Sequence, residues 1–255
     1  MSEQPGRPTI RPGQPLRKVA IERLLKVWGP LPGQPASSAY LRPGEWLHFL
    51  EASGPEGRAW WERLARMDRS ILQSDTGLVA LRAGCRALVI LPPFPLLESS
   101  LSPTWNVSPL LALLETEYTI GVVLLRLGRF SVAVYEGDRL LTSKTDARYV
   151  KGRHHAGGTS QKRFQRIREG QVRLLYEKAC QAVQSQFDSV SGELDYVLLG
   201  GDKITLAGFM KECSYLERRR SNILARRLNI RDPKRDTLEQ AGGMLSDSRL
   251  YPLEW

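Results

Sequence analysis

Three β-type runs, Tyr118 to Leu125, Phe130 to Tyr135 and Arg139 to Thr145, are joined at Gly128-Arg129 and Gly137-Asp138. Glycine beside a polar residue between strand-forming runs is a hairpin signal, because it permits the positive φ that tight turns require. The spacing predicts an antiparallel meander. A long helix follows from about Ser160 to Phe187, on which Phe164, Ile167, Leu174, Leu175, Ala179, Ala182 and Val183 recur at three-to-four spacing and are expected to pack on the sheet. Next come a buried-strand run, Leu194 to Leu199, ending in Gly200-Gly201-Asp202, then a helix near Ile204 to Cys213 and a strand candidate at Asn222 to Leu228. Hairpin strands followed by helix, strand, helix and strand indicate an α/β domain with a mixed sheet.

The chain ahead of the meander is less regular. Residues 1–15 hold four prolines and two arginines and read as a disordered tail. From Leu16 to about residue 75, apolar residues recur at helical spacing in pieces, such as Val19, Leu24 and Val27, then Trp46, Leu47 and Leu50, broken at Pro32-Gly33 and Pro43-Gly44. These predict a small helical N-terminal region over 16–75. Its Trp60-Trp61 pair sits beside Leu64 and Met67 and reads as core, with base stacking as the alternative. Two further β-type runs, LVALRA and ALVIL, lie between Gly77 and Leu91, and a short helix is expected from Ser108 to Leu114. Residues 76–255 are assigned to one domain.

At 255 residues and 42% hydrophobic content, the chain can bury a substantial core. Its 37 Lys and Arg against 27 Asp and Glu give +10, which favours a polyanionic partner, nucleic acid first. Cys85, Cys180 and Cys213 are widely spaced with no CxxC, so neither a disulfide framework nor a zinc site is expected, and a reducing cytoplasm fits. No run reaches the roughly 18 apolar residues of a membrane span.

The stretch Lys151-Gly-Arg-His-His-Ala-Gly-Gly-Thr-Ser-Gln-Lys-Arg-Phe164 joins the meander to the long helix. Lys151, Arg153, Lys162, Arg163, Arg166, Arg168 and Arg173 surround it with only Glu169 opposed, a density suited to phosphates. Gly157 and Gly158 let the backbone approach a ligand closely. The pattern is neither a phosphate-binding P-loop nor a dinucleotide fingerprint, since both lack their required ending and context. Gln161 falls in the first helical turn, where unpaired N–H groups and the dipole favour developing negative charge. A neutral amide there can orient water while nearby amides stabilise an oxyanion. Adjacent His154 and His155 make a poor metal site and read as RNA contacts or loop packing. Ser160 lacks a nucleophile elbow and reads as a helix cap. A metal-dependent nuclease is disfavoured, because the strands present no cluster of Asp and Glu.

These residues carry a resemblance. From about Tyr118 to Lys211 the chain resembles the catalytic domain of class I release factors of eukaryotes and archaea: hairpin strands, a basic Gly-Gly loop, Arg163-Phe164 on the next helix, and a strand ending Gly-Gly-Asp. Those factors carry Gly-Gly-Gln, whereas here Thr159 holds the third place and the order is Gly158-Thr159-Ser160-Gln161. That Gly-x-x-Gln variant is similar to the Vms-like release factors, the VLRF family of peptidyl-tRNA hydrolases, in a compact bacterial or archaeal form. The resemblance implies an RNase H-like fold and a catalytic loop of Gly157, Gly158, Thr159, Ser160 and Gln161. It further implies RNA contacts by Lys151, Arg153, His154, His155, Lys162, Arg163, Arg166, Arg168 and Arg173. The implied partners are the large ribosomal subunit, rRNA and peptidyl-tRNA, with no metal, cofactor, membrane or obligatory protein partner. Arg218, Arg219, Arg220, Arg226 and Arg227 are expected to add to the RNA surface. A non-catalytic ribosome- or tRNA-binding module is the alternative.

Overall fold

The computed structural model describes residues 10–46, 62, 66, 69–150, 159–229 and 232–254. The chain divides into two compact units, Met1–Thr116 with Leu245–Trp255, and Glu117–Met244. The first unit thus takes in residues 76–116 and 245–255, which the expected 76–255 domain includes.

Among its described residues, unit 1 is built on an antiparallel sheet, with Glu62 and Arg66 in helix within the stretch expected to be helical. Among the described residues its elements are β1 (Gln14–Leu16), α1 (Lys18–Trp28), β2 (Ala36–Leu41), β3 (Leu78–Ala83), β4 (Arg86–Leu91), β5 (Ser100–Ser102), α2 (Ser108–Glu115) and β11 (Ser248–Glu254), with a 3-10 turn at Arg69–Gln73. The strand order is β1-β11-β4-β3-β2-β5. β3, β4 and α2 fall where the periodicity places them. The helical expectation over 16–75 fails at β2, whose ASSAYL sequence is a weak strand former. It is held by pairing with β3 and by the Ser38 and Tyr40 hydroxyls, which donate to the carbonyls of Thr104 and Asn106 at 3.0 and 2.7 Å. α1 does form, but it buries Ile21, Leu24, Leu25 and Trp28, so of the expected stripe only Leu24 is inside and Val19 and Val27 are exposed. Of the expected tail, residues 1–9 lie outside the described residues and Gln14 and Pro15 pair with β11. Leu47, Leu50, Trp60, Trp61, Leu64 and Met67 also lie outside them.

Unit 2 carries the meander as expected: β6 (Thr119–Arg126), β7 (Arg129–Glu136) and β8 (Arg139–Ala147) pair antiparallel in sequence order. The chain continues through α3 (Thr159–Phe187), β9 (Tyr196–Gly201), α4 (Lys203–Glu212), a short α5 (Ser214–Glu217), β10 (Ile223–Leu228) and α6 (Arg235–Leu245). β9 pairs parallel with β6 and β10 parallel with β9, giving a mixed sheet of order β10-β9-β6-β7-β8. One sheet face, with Val123, Leu125, Phe130, Val132 and Val134, packs on Leu175, Ala179, Val183 and Phe187 of α3 and on Leu206 and Phe209 of α4. Gly121 is required there, because a Cβ would stand 2.5 Å from the Phe187 ring. On the opposite face, the Ser131 and Tyr135 hydroxyls donate to the carbonyls of Pro233 and Leu238 at 2.9 and 2.5 Å.

Two sequence expectations about this unit change. Cys180 on α3 and Cys213 at the end of α4 form a disulfide, with Cα atoms 5.4 Å apart. Their separation of 33 residues carries no spacing signal, and only the return of the chain through β9 and α4 brings them together. The packed stripe of α3 is also shorter than its periodicity suggests. Phe164, Ile167 and Leu174 are 43%, 39% and 44% exposed, and full burial begins only at Leu175. Among the described residues, no helix is long and apolar enough to cross a membrane.

The first turns of α3 therefore have little of the burial that stabilises most protein helices, with 162–167 exposed and only Arg168, Gln171 and Val172 partly covered before Leu175, and a short stretch of that kind is marginal in water. The Gln165 to Glu169 hydrogen bond at 2.9 Å adds only about 0.2–0.5 kcal/mol. Gly170, with nothing within 4 Å of a Cβ, subtracts roughly 1 kcal/mol relative to alanine. Amide exchange is expected to be orders of magnitude faster over 162–171 than over 175–187, and Gly170→Ala should slow it. Equal protection along the whole helix would contradict this account.

Buried phenols couple the fold to alkaline pH. Burial pushes Tyr40 up to about 12; burial, then the hydrogen bond to Asp188 at 2.5 Å, does the same for Tyr215. Tyr135 and Tyr176 are also raised, burial first. A phenol that ionises later folded than unfolded stabilises the fold below its ordinary value of 10.0 and stops doing so as pH climbs through the folded one. Urea midpoints are expected to fall between pH 10 and about 12, less steeply in Tyr215→Phe; identical slopes in the two proteins would rule out the Tyr215 contribution.

Candidate functional site

The loop 151–158 lies outside the described residues, and with it Lys151, Arg153, His154, His155, Gly157 and Gly158. Both of its ends are placed. It departs beyond Arg148, whose N–H donates to the Gly128 carbonyl at 2.8 Å, and the chain resumes at Thr159 as α3. Thr159, Ser160 and Gln161 are thus the first three residues of the helix: Gln161 falls in the first turn as expected, whereas Ser160, expected as the cap, is already inside the helix, and the N–H groups of this turn lack an intrahelical partner. The helix dipole adds partial positive charge at the same place.

Next along the helix, Lys162, Arg163 and Arg166 are exposed and Arg168 is half-exposed. Against these four cations the same turns hold one acid, Glu169, which accepts from Gln165. Arg173 is exposed and paired with Glu177 at 3.3 Å. Arg168, Val172 and Ala179 lie about two, three and five turns beyond Gln161, so the backbone position of Gln161 continues the line that further down is buried in the core. Beside that line α4 comes close: a Cβ on Gly208 would stand 2.8 Å from the Tyr176 hydroxyl oxygen. Asp202, which the sequence marked only as the end of Gly-Gly-Asp, caps α4 by accepting from the Thr205 N–H at 2.8 Å. Burial pushes the Asp202 carboxyl up, but the Thr205 hydrogen bonds outweigh it and hold the group below its ordinary value.

The C-terminal arginines do not join this group. Arg219 stacks over the Tyr215 ring at 3.8 Å, Arg220 pairs with Glu217, and the Asn222 amide donates to the carbonyls of Leu194 and Asp195. Tyr215 in turn bonds Asp188 just past the end of α3. Arg218, Arg219 and Arg220 therefore stand at the far end of the helix from Gln161, and Arg226 and Arg227 lie on the edge strand β10.

Residues 118–250, just over half of the chain, match the family described as acVLRF1, the Actinobacteria/chloroflexi VLRF1 release factor. The chain belongs to this release factor family. Among curated proteins it is similar to peptide chain release factor subunit 1 of Methanosphaera stadtmanae, 33% identical over 41% of this chain and 25% of that one. The corresponding protein of Methanopyrus kandleri is 29% identical over 40% and 25%. The chain thus spans about a quarter of the length of these relatives. A solved archaeal translation termination factor, aRF1, is 18% identical, with a TM-score of 0.40 over 91% of this chain and 73% of that one. Saccharomyces cerevisiae Dom34, described as a translation termination-like factor in RNA quality control that interacts with Hbs1, is 10% identical with a TM-score of 0.27 over 87% and 64%. The family match takes in the mixed sheet, α3 and α4, and leaves residues 1–117 outside.

Proposed function

We infer that this protein frees nascent chains by hydrolysing the ester of peptidyl-tRNA on stalled large ribosomal subunits, with Gln161 orienting the attacking water. The observation that carries this is the placement of Gln161 in the first turn of a basic helix whose next residues, 162–167, are all exposed. Membership of a release factor family and the peptide chain release factors among the relatives support it.

An ester is activated relative to an amide, so a positioned water and donors aimed at the oxyanion suffice, and the reaction asks for no metal or cofactor. Gly157 and Gly158 give the backbone access to a crowded RNA centre, and Ser160 and Thr159 open the helix. Lys151, Arg153, His154, His155, Lys162, Arg163, Arg166, Arg168 and Arg173 hold rRNA or the tRNA end. The same reading takes unit 2 as RNase H-like, three antiparallel strands with two parallel strands added beside the first, and places the protein in the cytoplasm, in ribosome quality control, without an obligatory protein partner.

Incubating stalled nascent-chain complexes with the protein and with Gln161→Ala tests it. Release by the parent chain alone is the expected result, and equal release by both removes Gln161 from the mechanism. Salt-sensitive binding to large subunits with no loss of peptidyl-tRNA in either case means a non-catalytic binding module.

A further inference from the structure

Four neighbouring strands bring cations to one end of unit 2. The Arg126↔Arg129 register sets these arginines directly opposite each other across the β6–β7 hairpin, and Arg129↔Ala147 puts Arg148 one residue beyond on the next strand. On the other side, Leu125↔Gly201 brings Asp202 and Lys203 just past the end of β9, next to Arg126. With strands about 4.8 Å apart, the row Lys203, Arg126, Arg129, Arg148 extends roughly 15 Å.

Like charges directly opposite in an antiparallel pair are destabilising. Packing does not ask for arginine here: Arg126 and Lys203 are exposed, and Arg129 and Arg148 are half-exposed. The acids nearby are each engaged. Asp232 is shared between Lys234 at 3.0 Å and Arg129 at 3.1 Å, which together hold its carboxyl below the usual range. Asp202 caps α4, and Asp146 accepts from the Ala147 N–H at 2.7 Å. The row sits in the more basic unit, where 23 Lys and Arg face 15 Asp and Glu, +8 of the chain's +10.

Its place in the fold gives the row a direction. Arg148 is at the root of the 151–158 loop, followed by Tyr149, 74% exposed and able to stack on a base. α3 starts at this same end and rises about 20 Å between Gln161 and its first buried residues. We propose that Arg126, Arg129, Arg148 and Lys203 form a cationic row that holds the sugar-phosphate backbone of the RNA strand whose 3′ end is presented to Gln161. The identity of that strand rests on the peptidyl-tRNA reading; the affinity of the row for RNA phosphate does not. Arginine's fork can grip a phosphate at two points, and Lys203 adds a point charge.

Labelled deacylated tRNA titrated with the full chain between about 50 and 200 mM salt reads the row directly. In Arg126→Gln/Arg148→Gln/Lys203→Gln the slope of log Kd against log salt is expected to drop by about 2, at roughly 0.7 per lost phosphate. Asp232→Asn releases Arg129 and should tighten binding, a gain that a misfolded variant cannot imitate. In release assays the triple variant should raise KM and keep kcat. An unchanged salt slope, or a fall in kcat at constant KM, overturns the row. If the parent chain releases nothing, the hydrolase reading fails while the tRNA titration still decides the row.

Discussion

Gln161→Ala is expected to slow peptidyl-tRNA hydrolysis by about 100–1000-fold at saturating protein, the usual cost of one donor aimed at developing charge. Binding to stalled large subunits should survive, because the cations that contribute affinity, among them Lys162, Arg163 and Arg166 one, two and five residues on, are untouched. The loss should fall on kcat, the mark of an interaction made only in the transition state. Gln161→Asn keeps the amide but draws it back by one methylene, and a displacement of that size can itself cost on the order of 100-fold. Position is tested separately by Thr159→Gln/Gln161→Ala, which restores the Gly-Gly-Gln order. Two residues along a helix is a rotation of about 200°, so the amide would leave from the opposite side and no rescue is expected. Full rescue would mean that the loop, rather than the helix start, sets where the glutamine acts.

What the sequence made legible follows from which signals are local. The β6–β8 meander was readable because its turns are two residues long and its strands alternate within a single window. The start of α3 was readable to within one residue for the same reason, from the glycines just ahead of it, although the cap assigned to Ser160 lies inside the helix. β2 was not, since ASSAYL is a strand only through its pairing with β3, and β11 was not, since its partners β1 and β4 are more than 150 residues away along the chain. The extent of the packed face on α3 escaped for another reason. Periodicity marks which side of a helix is apolar, while the length of the sheet beneath decides how much of that side is covered. Phe164 and Ile167 keep the period and yet stand beyond the cover. The cationic row shows the converse: Arg126, Arg129, Arg148 and Lys203 are scattered over 78 residues and become neighbours only through strand register.

Gly201→Ala is expected to be among the most damaging single changes in unit 2, and comparison with Gly192→Ala isolates the reason. Both glycines have positive φ, +136° and +96°, so each substitution forces a side chain into a conformation that costs about 1–2 kcal/mol. A Cβ on Gly192 meets nothing within 4 Å, and its cost should end there. On Gly201 it would stand 2.0 Å from the carbonyl oxygen of Leu125, a backbone atom of the paired strand β6 that cannot swing aside. Relief requires parting β6 from β9 at their shared end. That also pulls Asp202 off the N-terminus of α4 and Arg126 out of its row. The combined loss should exceed about 4 kcal/mol, a large share of the roughly 5–15 kcal/mol that holds a domain folded. Urea unfolding of the two variants is the measurement. If Gly201→Ala loses no more than Gly192→Ala, the end of β9 yields at little cost, and the Gly-Gly-Asp corner cannot be what fixes Arg126 and Lys203 side by side.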